Sequence, residues 1–404
     1  MGLGVLWAVL GVAWLALGAG WFFAKEDSRR AVWAWAIALR LCGLAGAPVL
    51  EDDWARYLWD GRELLRTGNP YAHAPAEFFR DASVPEEFQR VLDEVNHPDL
   101  PTIYGPVCQA VFGAGAAIAP AKLWPVKALL VAADLAVLAM LLQLAGPRRA
   151  LLWGWCPLVV QEVSFTAHPD VLWVCAVVAA LWLAQKERLR TAAVALGLAV
   201  AAKVFAVIIV PFVAMRLPWR LRALAVLVAA AAYAPFWLQG SGADLAALRA
   251  MGGAGWEFNS PLVAPLSAWL GAETARVALL AVFCAGWLGL FYRWHLRGGD
   301  APLLGTFALF LACGSVVNPW YLVPLAAFLA LRTATRPAVA CVAALASVSL
   351  SYAHGLYLPG AGLGAYELAA WVRPTEVAVI LLGVAADGLA ARCWCGAAAK
   401  WDAD

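Results

Sequence analysis

The sequence predicts an all-α membrane protein that crosses the bilayer many times. Hydrophobic residues make up 64% of the chain and charged residues only 14%, with a mean hydropathy of +0.75. A water-soluble protein of this length could not cover its surface with so few polar side chains. The apolar residues fall in runs of roughly 10 to 25 residues separated by short connections. We expect a bundle of about 11 to 13 transmembrane helices, with interfacial helices in the first large loop outside the membrane.

The chain divides into three regions. Residues 1–50 hold two apolar segments that are expected to be transmembrane helices. The first, Leu3 to Ala24, lacks the basic start and small-residue cleavage site of a signal peptide. Residues 51–125 form the extracytoplasmic loop, and residues 126–404 form a transmembrane bundle with short loops. The apolar runs expected in that bundle are Val126 to Ala145, Leu151 to Val163, Val171 to Ala184, Thr191 to Met215 with breaks near Lys203 and Pro211, Ala223 to Trp237, Val277 to Tyr292, Pro302 to Ser315, Leu322 to Leu331, Ala338 to Ser351 and Thr375 to Ala390.

Basic residues assign the two sides of the membrane, because Lys and Arg avoid translocated loops. Residues 51–105 contain twelve acidic residues and five arginines, so this segment is expected on the extracytoplasmic side. The net charge of +2 gives no indication of a nucleic-acid partner. The basic connections, which are expected on the cytoplasmic side, are Lys25 to Arg30, Arg148-Arg149, Lys186 to Arg190, Arg216 to Arg222, Arg293 to Arg297 and Arg332 to Arg336.

The apolar run Val107 to Ala121 is expected not to cross the membrane. Two full crossings between the acidic loop and Arg148 would put that arginine outside. The run is only about fifteen residues long, below the ~20 that a spanning helix needs, and prolines lie near its ends, at Pro106 and Pro120. We therefore predict a re-entrant or surface hairpin, whose backbone must be covered by protein or line a cavity.

Two adjacent carboxylates, Asp52 and Asp53, stand where the chain leaves the second apolar segment. A carboxylate there can take a proton from a substrate at the membrane surface. The following residues have the pattern of an amphipathic interfacial helix that ends at Gly68-Asn69-Pro70. The alternative is a solvated loop with an ordinary aspartate cap. The expected apolar face contains Trp54, Leu58 and Leu65, and the charged face contains Arg56, Asp60, Arg62 and Arg66.

Four later connections on the same side carry polar or aromatic clusters. Each could belong to an interfacial belt of Trp and Tyr, but four such clusters on the side of the acidic loop favour a shared site. Glu257 and Asn259 follow a glycine-rich stretch, which suggests a loop that closes over substrate. The clusters are Ser164 to Asp170, Trp256 to Asn259, Asn318 to Tyr321 and Tyr352 to His354.

Three charged residues are expected inside the membrane. Lys203 lies in an apolar run, where a lone lysine costs about 2.5 to 3.5 kcal/mol to insert and usually faces a cavity or a partner. We expect it to hold a phosphate near the outer third of the bilayer, the alternative being a structural lysine that reaches the outer interface. Arg40 and Asp134 fall at middle depths of neighbouring spans, and we predict a structural salt bridge between them.

The nine cysteines show no disulfide or zinc framework, because most lie in apolar runs as small hydrophobic residues. Cys393 and Cys395 could form a thiol pair. No metal-ligand cluster has convincing spacing, so no cofactor is expected; the scattered carboxylates of the acidic loop are the only conceivable divalent-cation site.

The order of motifs along the chain resembles that of the integral-membrane GT-C glycosyltransferases that use polyprenyl-phosphate sugars. The chain is most similar to bacterial polyprenol-phosphate-mannose-dependent mannosyltransferases, and more distantly to the eukaryotic enzyme that begins glycosylphosphatidylinositol mannosylation. The resemblance covers about Ala31 to Ala330. Its motifs are D-D-W-A-R-Y-L-W-D-G-R from Asp52, G-N-P-Y from Gly68, V-N-H-P-D-L-P-T-I-Y-G-P from Val95, H-P-D from His168, a helix with Lys203, F-N at Phe258 and N-P-W-Y from Asn318.

This resemblance implies an inverting transfer of one hexose, with mannose as the expected sugar, at the outer face of the bacterial cytoplasmic membrane. The partners are then a polyprenyl-phosphate sugar donor, a glycolipid, glycan or protein acceptor, and membrane lipids. The family spacing is met by Asp52, Asp53 and Tyr57, which makes Asp52 the first choice for the base, although the roles of the two aspartates could be reversed. Two residues depart from the family pattern: Gly105 replaces a second proline, and Asn318 replaces a frequent histidine and cannot titrate.

The candidate residues follow from these observations. A lipid or solute transporter is the alternative function, but it should show internal repeats, and none is visible. A membrane scaffold would need neither a carboxylate pair nor an intramembrane lysine. For His168 we favour a contact with the acceptor or the sugar, while Asp170 could be only a first-turn acid. Besides Asp52 and Asp53, the residues expected to bind substrate are Lys203, Arg56, Tyr57, Arg62, Asn69, Tyr71, His97, Tyr104, His168, Asp170, Glu257, Asn259, Asn318, Trp320, Tyr321 and His354.

Overall fold

The computed structural model of the protein describes residues 2–253, 255–333, 338–358 and 360–401, with side chains except at 26, 250–253 and 391–401. The possible thiol pair Cys393 and Cys395 lies outside the described side chains, and Arg336 lies outside the described residues. Within the described ranges the secondary structure is helical, and two isolated bridges are the only β-type pairing. The predicted all-α fold class is therefore confirmed.

The helices before the middle of the chain are α1 (Leu3–Phe23), α2 (Arg29–Ala45), α3 (Asp53–Thr67), α4 (Glu86–Asp93), α5 (Pro106–Ile118), α6 (Trp124–Leu144), α7 (Pro147–Gly154), α8 (Pro157–Val159), α9 (Asp170–Gln185) and α10 (Leu189–Ala202). Those after it are α11 (Val210–Ala214), α12 (Trp219–Trp237), α13 (Ala243–Gly253), α14 (Val263–Leu270), α15 (Ala272–Arg297), α16 (Leu303–Cys313), α17 (Val323–Leu331), α18 (Val339–Ser347) and α19 (Val372–Trp401). Short 3-10 turns cover Glu26–Ser28, Pro75–Phe78, Val204–Ile208, Pro319–Leu322 and Val348–Tyr352, and a π-helical turn, Val160–Phe165, continues α8.

Among the described residues, four helices are long and apolar enough to cross a membrane: α1, α6, α12 and α15. The segment Pro157–Phe165 and α9 pass the same test together but are bent by 118°. Fewer long helices are present than the number of spans expected, because prolines start new helices inside apolar runs, as Pro211 does in α11. The shorter apolar helices are Pro106–Ile118, Leu189–Ala202, Leu303–Cys313, Pro319–Leu331 and Val339–Tyr352.

Basic side chains join the helix ends at both ends of α6. Near the start of α6, Lys127 donates to the backbone carbonyls of Gly43 (2.8 Å) and Gly46 (2.7 Å), so α6 begins where α2 ends and the acidic loop starts. At the start of α7, Arg148 donates to the carbonyl of Trp21 near the end of α1 (3.0 Å).

Helix α5 has 13 residues, or about 20 Å, which is less than the ~30 Å hydrocarbon core. Its re-entrant course stays a prediction.

The predicted pair between Arg40 and Asp134 is confirmed. The guanidinium donates to both carboxylate oxygens, at 2.7 and 3.0 Å, and both side chains are at most 1% exposed. Trp153 Nε1 donates to the same carboxylate at 2.7 Å, and the guanidinium also contacts the Gly154 carbonyl. This network ties α2, α6 and α7 together in the core.

Helix α3 forms where it was predicted, and it ends at Gly68, whose φ of 74° is left-handed. The predicted division of its faces is wrong, however. Arg56 and Asp60 are buried, while Leu65 is exposed, because α3 packs against α5 and α4 rather than lying on a surface. The buried Asp60 carboxylate accepts a hydrogen bond from Gln109 of α5 at 3.0 Å, which compensates the lost solvation.

Candidate active site

A cavity of about 370 Å³ lies at the end of the bundle where α3 begins. It is enclosed by segments that are far apart in sequence, including all four outward connections named above. The predicted residues that line it are Asp53, Arg56, His97, Tyr104, Asp170, Lys203, Asn318, Trp320, Tyr321 and His354. Polar and aromatic lining residues that the sequence analysis did not select are Glu51, Asn96, Phe205, Asp244, Trp256, Phe258, Phe310, Ser315 and Tyr366.

Asp53 is the carboxylate that two hydrogen-bond donors and a nearby imidazole hold in this cavity. Asn96 Nδ2 donates to its Oδ1 at 2.7 Å, and the Tyr104 hydroxyl donates to its Oδ2 at 2.9 Å. The imidazole Nε2 of His168 lies 3.6 Å from the same Oδ2. Burial works to raise the pKa of Asp53, but the His168, Asn96 and Tyr104 contacts outweigh it and lower the pKa to about 2. Asp53 is thus a fixed carboxylate at any neutral pH.

Asp52 is held differently. It occupies the N-cap position of α3 and does not line the cavity. The same Asn96 amide donates to it at 2.7 Å, and the Tyr366 hydroxyl lies 3.4 Å from its other oxygen. Burial and the charge of Asp53 raise the pKa of Asp52. The geometry therefore favours Asp53, rather than the first-choice Asp52, as the carboxylate that meets substrate.

Lys203 lies at the predicted break in its apolar run, which is confirmed. Helix α10 ends at Ala202, and Lys203 is extended, with φ −154° and ψ 127°. Its Nζ donates to Asp170 Oδ1 at 2.6 Å and lies 4.3 Å from the centre of the Tyr321 ring. The side chain is 21% exposed to the cavity. An ammonium carries three donors, so one partner leaves capacity for an anionic ligand.

Gly105 explains one departure from the family pattern. A Cβ at this position would lie 2.4 Å from the Ala201 carbonyl oxygen and 2.9 Å from that of Ala202. The start of α5 therefore approaches the end of α10 too closely for any side chain, proline included. Glycine allows the contact that places the Tyr104 loop beside the break at Lys203.

Arg56 organises the loop that supplies Asn96. Its guanidinium is buried and donates to the backbone carbonyls of Asn96 (2.8 Å), His97 (2.9 Å) and Leu100 (3.1 Å). The loop is thereby fixed so that the Asn96 amide reaches both aspartates. The sequence could have identified Asn96 as a site residue only through its place in the V-N-H-P-D motif. No spacing rule predicts its contact with Asp52, which lies 44 residues earlier.

Aromatic rings from three loops form part of the cavity wall. The His97 ring lies 4.4 Å from Trp256 and 5.7 Å from Tyr366, measured between centroids. His354 lies 6.0 Å from Tyr366, and its Nδ1 is 2.9 Å from the Ala365 carbonyl. These rings are flat apolar surfaces with polar edges, which suit a sugar or an aromatic group.

His168 does not line the cavity but contacts residues that do. It is 1% exposed, and its ring stacks on Trp320 at 3.9 Å with an interplanar angle of 12°. Its Nδ1 faces the buried carboxylate of Glu162 at 3.0 Å. The sequence analysis did not select Glu162 as a site residue, because it lies near the end of an apolar run that was assigned as a transmembrane span.

Four predicted site residues have structural contacts instead. The Tyr57 ring stacks on Phe112 beneath the cavity. The others lie elsewhere: Arg62 pairs with Glu63 and covers Trp59, the Asn69 side chain accepts from the Tyr71 amide at 3.2 Å, and the Tyr71 hydroxyl donates to the Tyr104 carbonyl at 2.8 Å. A substrate contact for these residues is not supported by their positions.

Glu257 and Asn259 face away from the main cavity. Phe258 lines it, and its neighbours on either side point into a smaller space of about 270 Å³. There Glu257 accepts from Arg373 at 2.9 Å, and Asn259 donates to Glu376 at 2.9 Å. Asn259 has a left-handed φ of 48°, which turns the chain directly after Phe258. The predicted cluster therefore reaches the main cavity through Trp256 and Phe258, and not through Glu257 or Asn259.

No arrangement for a metal ion is evident in the part of the chain that the structure describes: no three His, Cys, Asp or Glu side chains are grouped to hold one. The chemistry available in the cavity is that of a fixed carboxylate, a lysine ammonium and several phenol and imidazole groups. These can accept a proton and neutralise an anion.

Of the comparisons with known proteins, the one with family models agrees with this chemistry. No curated protein and no solved structure matches the chain. A family model, the N-terminal domain of alpha-(1->6)-mannopyranosyltransferases, matches residues 2–218, which include Asp53 and Lys203. Since this match covers more than half of the 404 residues, the chain belongs to the alpha-(1->6)-mannopyranosyltransferase family, whose members are membrane glycosyltransferases of the GT-C type.

Proposed function

We propose that the protein transfers one mannose from a polyprenyl monophosphate to a hydroxyl acceptor within this cavity, with inversion at the anomeric carbon. The observation that carries the proposal is that a fixed carboxylate, Asp53, and a lysine ammonium, Lys203, face one cavity. A direct displacement at an anomeric carbon needs a group that takes the acceptor proton and a cation that holds the leaving phosphate.

The step balances as a single displacement. The acceptor oxygen forms a bond to the anomeric carbon while the bond from that carbon to the phosphate oxygen breaks, and the bonding pair leaves with the phosphate. The acceptor proton passes to Asp53. Because the attacking oxygen becomes positively charged as its bond forms, a carboxylate of low basicity is sufficient to take this proton.

The donor is proposed to bind with its phosphate at Lys203. Next to Lys203 the cavity is lined by Val204, Phe205 and Phe310, which offer an apolar surface for the first prenyl units. A nucleotide sugar would instead bring a second phosphate and a nucleoside, for which the cavity offers no second cation on the Lys203 side among the described lining residues. A lipid-linked donor therefore fits better than a nucleotide sugar.

A donor panel tests the proposal. Purified protein is incubated with membrane glycolipid extract and with radiolabelled polyprenyl-phosphate mannose, glucose or arabinose, with a nucleotide sugar as the control. We expect transfer of mannose from the polyprenyl phosphate. Transfer from the nucleotide sugar alone would contradict the proposal. The same reactions with EDTA test metal dependence, and we expect unchanged transfer.

The cavity is proposed to open on the extracytoplasmic face of a bacterial cytoplasmic membrane. The support is the charge pattern, since the basic start of α7 and the acidic loop lie at opposite ends of α6. Single cysteines on a cysteine-free background report the side when intact cells are treated with an impermeant thiol reagent. We expect labelling at exposed positions in residues 51–124. A labelled cysteine at position 148 would reverse the orientation.

A further inference from the structure

The segment between α8 and α9 has two unusual backbone features next to the cavity. Residues Val160–Phe165 form a π-helical turn, a rare conformation that is frequent at functional sites. Ala167 has a φ of 69°, a left-handed conformation that non-glycine residues rarely adopt, although its side chain is fully buried. Strain of this kind persists only when the surroundings impose it. Together these features turn Glu162 and His168 toward each other.

Glu162 is a carboxylate with no exposure to solvent. It accepts hydrogen bonds from the Tyr352 hydroxyl at 3.0 Å and from Gln161 Nε2 at 2.5 Å, and the Thr166 hydroxyl lies 3.2 Å from it. Its remaining contact is His168 Nδ1, at 3.0 Å. A buried carboxylate is costly unless a cation pairs with it, and the imidazole is the cation within reach among the described residues.

His168 lies between two carboxylates. Nδ1 faces Glu162 at 3.0 Å and lies 2.9 Å from the Thr166 hydroxyl, whose own proton can go to the Glu162 backbone carbonyl at 2.8 Å. Nε2 faces Asp53 Oδ2 at 3.6 Å and makes no hydrogen bond within the described residues. A neutral imidazole would present one nitrogen without a proton to a carboxylate, whereas an imidazolium donates from both. Burial opposes the charge, but the contacts with Asp53 and Glu162 raise the pKa of His168 to about 10. The loop that carries His168 lies outside the helices on either side.

We propose that Glu162 is a positioning residue for sugar transfer: it fixes His168 as an imidazolium whose Nε2–H is aimed at Asp53, and thereby keeps that carboxylate ionised and oriented in the cavity. The kinetic consequence rests on the proposed function, whereas the protonation state of His168 does not. Glu162 acts through His168 and has no contact with the cavity.

The charged groups that face the imidazole come from two elements. Glu162 belongs to the π-helical turn, and Asp53 begins α3. The carboxyl group of Glu51, just before α3, is also close, but burial and the charge of Asp53 raise its pKa well above its usual value. Trp320 covers one face of the ring without a charge. Removing the Glu162 charge should therefore leave His168 less able to hold its proton at neutral pH.

Histidine NMR tests this independently of activity. The chain has five histidines, so ¹⁵N-histidine labelling with His168→Gln for assignment isolates the signal. We expect His168 to stay protonated at both nitrogens through pH 8, and Glu162→Gln to lower its titration midpoint by more than two pH units, to below pH 8. Tyr352→Phe is the matched control, since it removes a donor to Glu162 but keeps the carboxylate charge. A His168 that is neutral at pH 7 in the unmodified protein would overturn the proposal.

Kinetics separate positioning from a purely structural role. At pH 8, Glu162→Gln should lower kcat by roughly 10- to 100-fold with donor KM changed by less than about twofold, and kcat should recover at pH 6, where His168 regains its proton. Glu162→Asp keeps the charge and should retain more activity. A loss of kcat that is equal at both pH values would overturn the proposal. If the unmodified protein transfers no mannose while His168 titrates as expected, the proposed function fails and the assignment of the imidazolium stands.

Discussion

Two buried pairs of a cation and a carboxylate show how differently this chain uses the same chemistry. Arg40 and Asp134 are both enclosed and share two hydrogen bonds, and further donors and acceptors satisfy the rest of each group. Lys203 and Asp170 share one hydrogen bond of 2.6 Å, and Lys203 is 21% exposed to the cavity. The first pair has no capacity left for a ligand, and the second does. Access and unused donors, not burial alone, distinguish a structural pair from a functional one.

The core pair carries the largest predicted effect on stability. Arg40→Leu strands the buried Asp134 carboxylate and should destabilise the protein by about 3 to 5 kcal/mol, whereas Arg40→Leu combined with Asp134→Leu should recover most of this loss. Thermal unfolding in detergent measures both. Turnover per folded molecule should change little in the double variant. A double variant as unstable as the single one would show that the stranded charge is not the cause.

The cavity pair should show the reverse pattern. Lys203→Ala removes the phosphate contact and should lower kcat/KM for the donor by about 100-fold, mostly through KM, with little change in thermal stability. Lys203→Arg should retain part of the activity, because the charge remains but the geometry changes.

The matched control for Lys203 is Lys127→Met, which removes a buried lysine outside the cavity. Lys127 donates to the carbonyls that end α2 and takes no part in the cavity. We expect lower stability and unchanged kcat/KM per folded molecule. Equal losses of kcat/KM in both variants would mean that Lys203 is a structural lysine.

The smallest predicted effect concerns acid pH and distinguishes the two aspartates. The group that takes the proton must be ionised, and the pKa of Asp53 is lowered to about 2, so kcat should stay within about twofold between pH 7 and 5. Any stability that Asp53 contributes is present above its unfolded pKa of about 3.9 and is lost as the pH falls through about 2. If Asp52, whose pKa is raised, were the base, kcat would fall at a higher pH.

Much of this arrangement could be predicted from the sequence. Charge placement along the chain indicated which connections share one side, and three of the four clusters supplied predicted residues to the cavity wall. The pairing of Arg40 with Asp134 followed from their similar depth in neighbouring spans. Two rules were sufficient: Lys and Arg avoid translocated loops, and charges avoid lipid unless they are paired or face a cavity.

The rest depended on tertiary contacts that no local pattern encodes. Glu162 lies in a π-helical turn, where the periodicity of an α-helix no longer indicates which side chains share a face. Asn96 reaches the aspartates only because Arg56 holds its loop, and Tyr366 arrives from more than 300 residues away. Arg56 itself was expected on a solvated face, since helical spacing cannot distinguish a surface arginine from one that binds buried carbonyls.

Single-turnover mannose transfer by Asp53→Asn and Asp52→Asn tests the central claim most directly. Asparagine keeps the shape of aspartate but cannot accept a proton, and its amide nitrogen donates where one carboxylate oxygen accepted. The account predicts that Asp53→Asn slows transfer by a factor on the order of 10² to 10⁴ with the fold intact, and that Asp52→Asn slows it by less than about tenfold. Transfer by Asp53→Asn at the rate of the unmodified protein would contradict the assignment of this cavity as the site of the reaction.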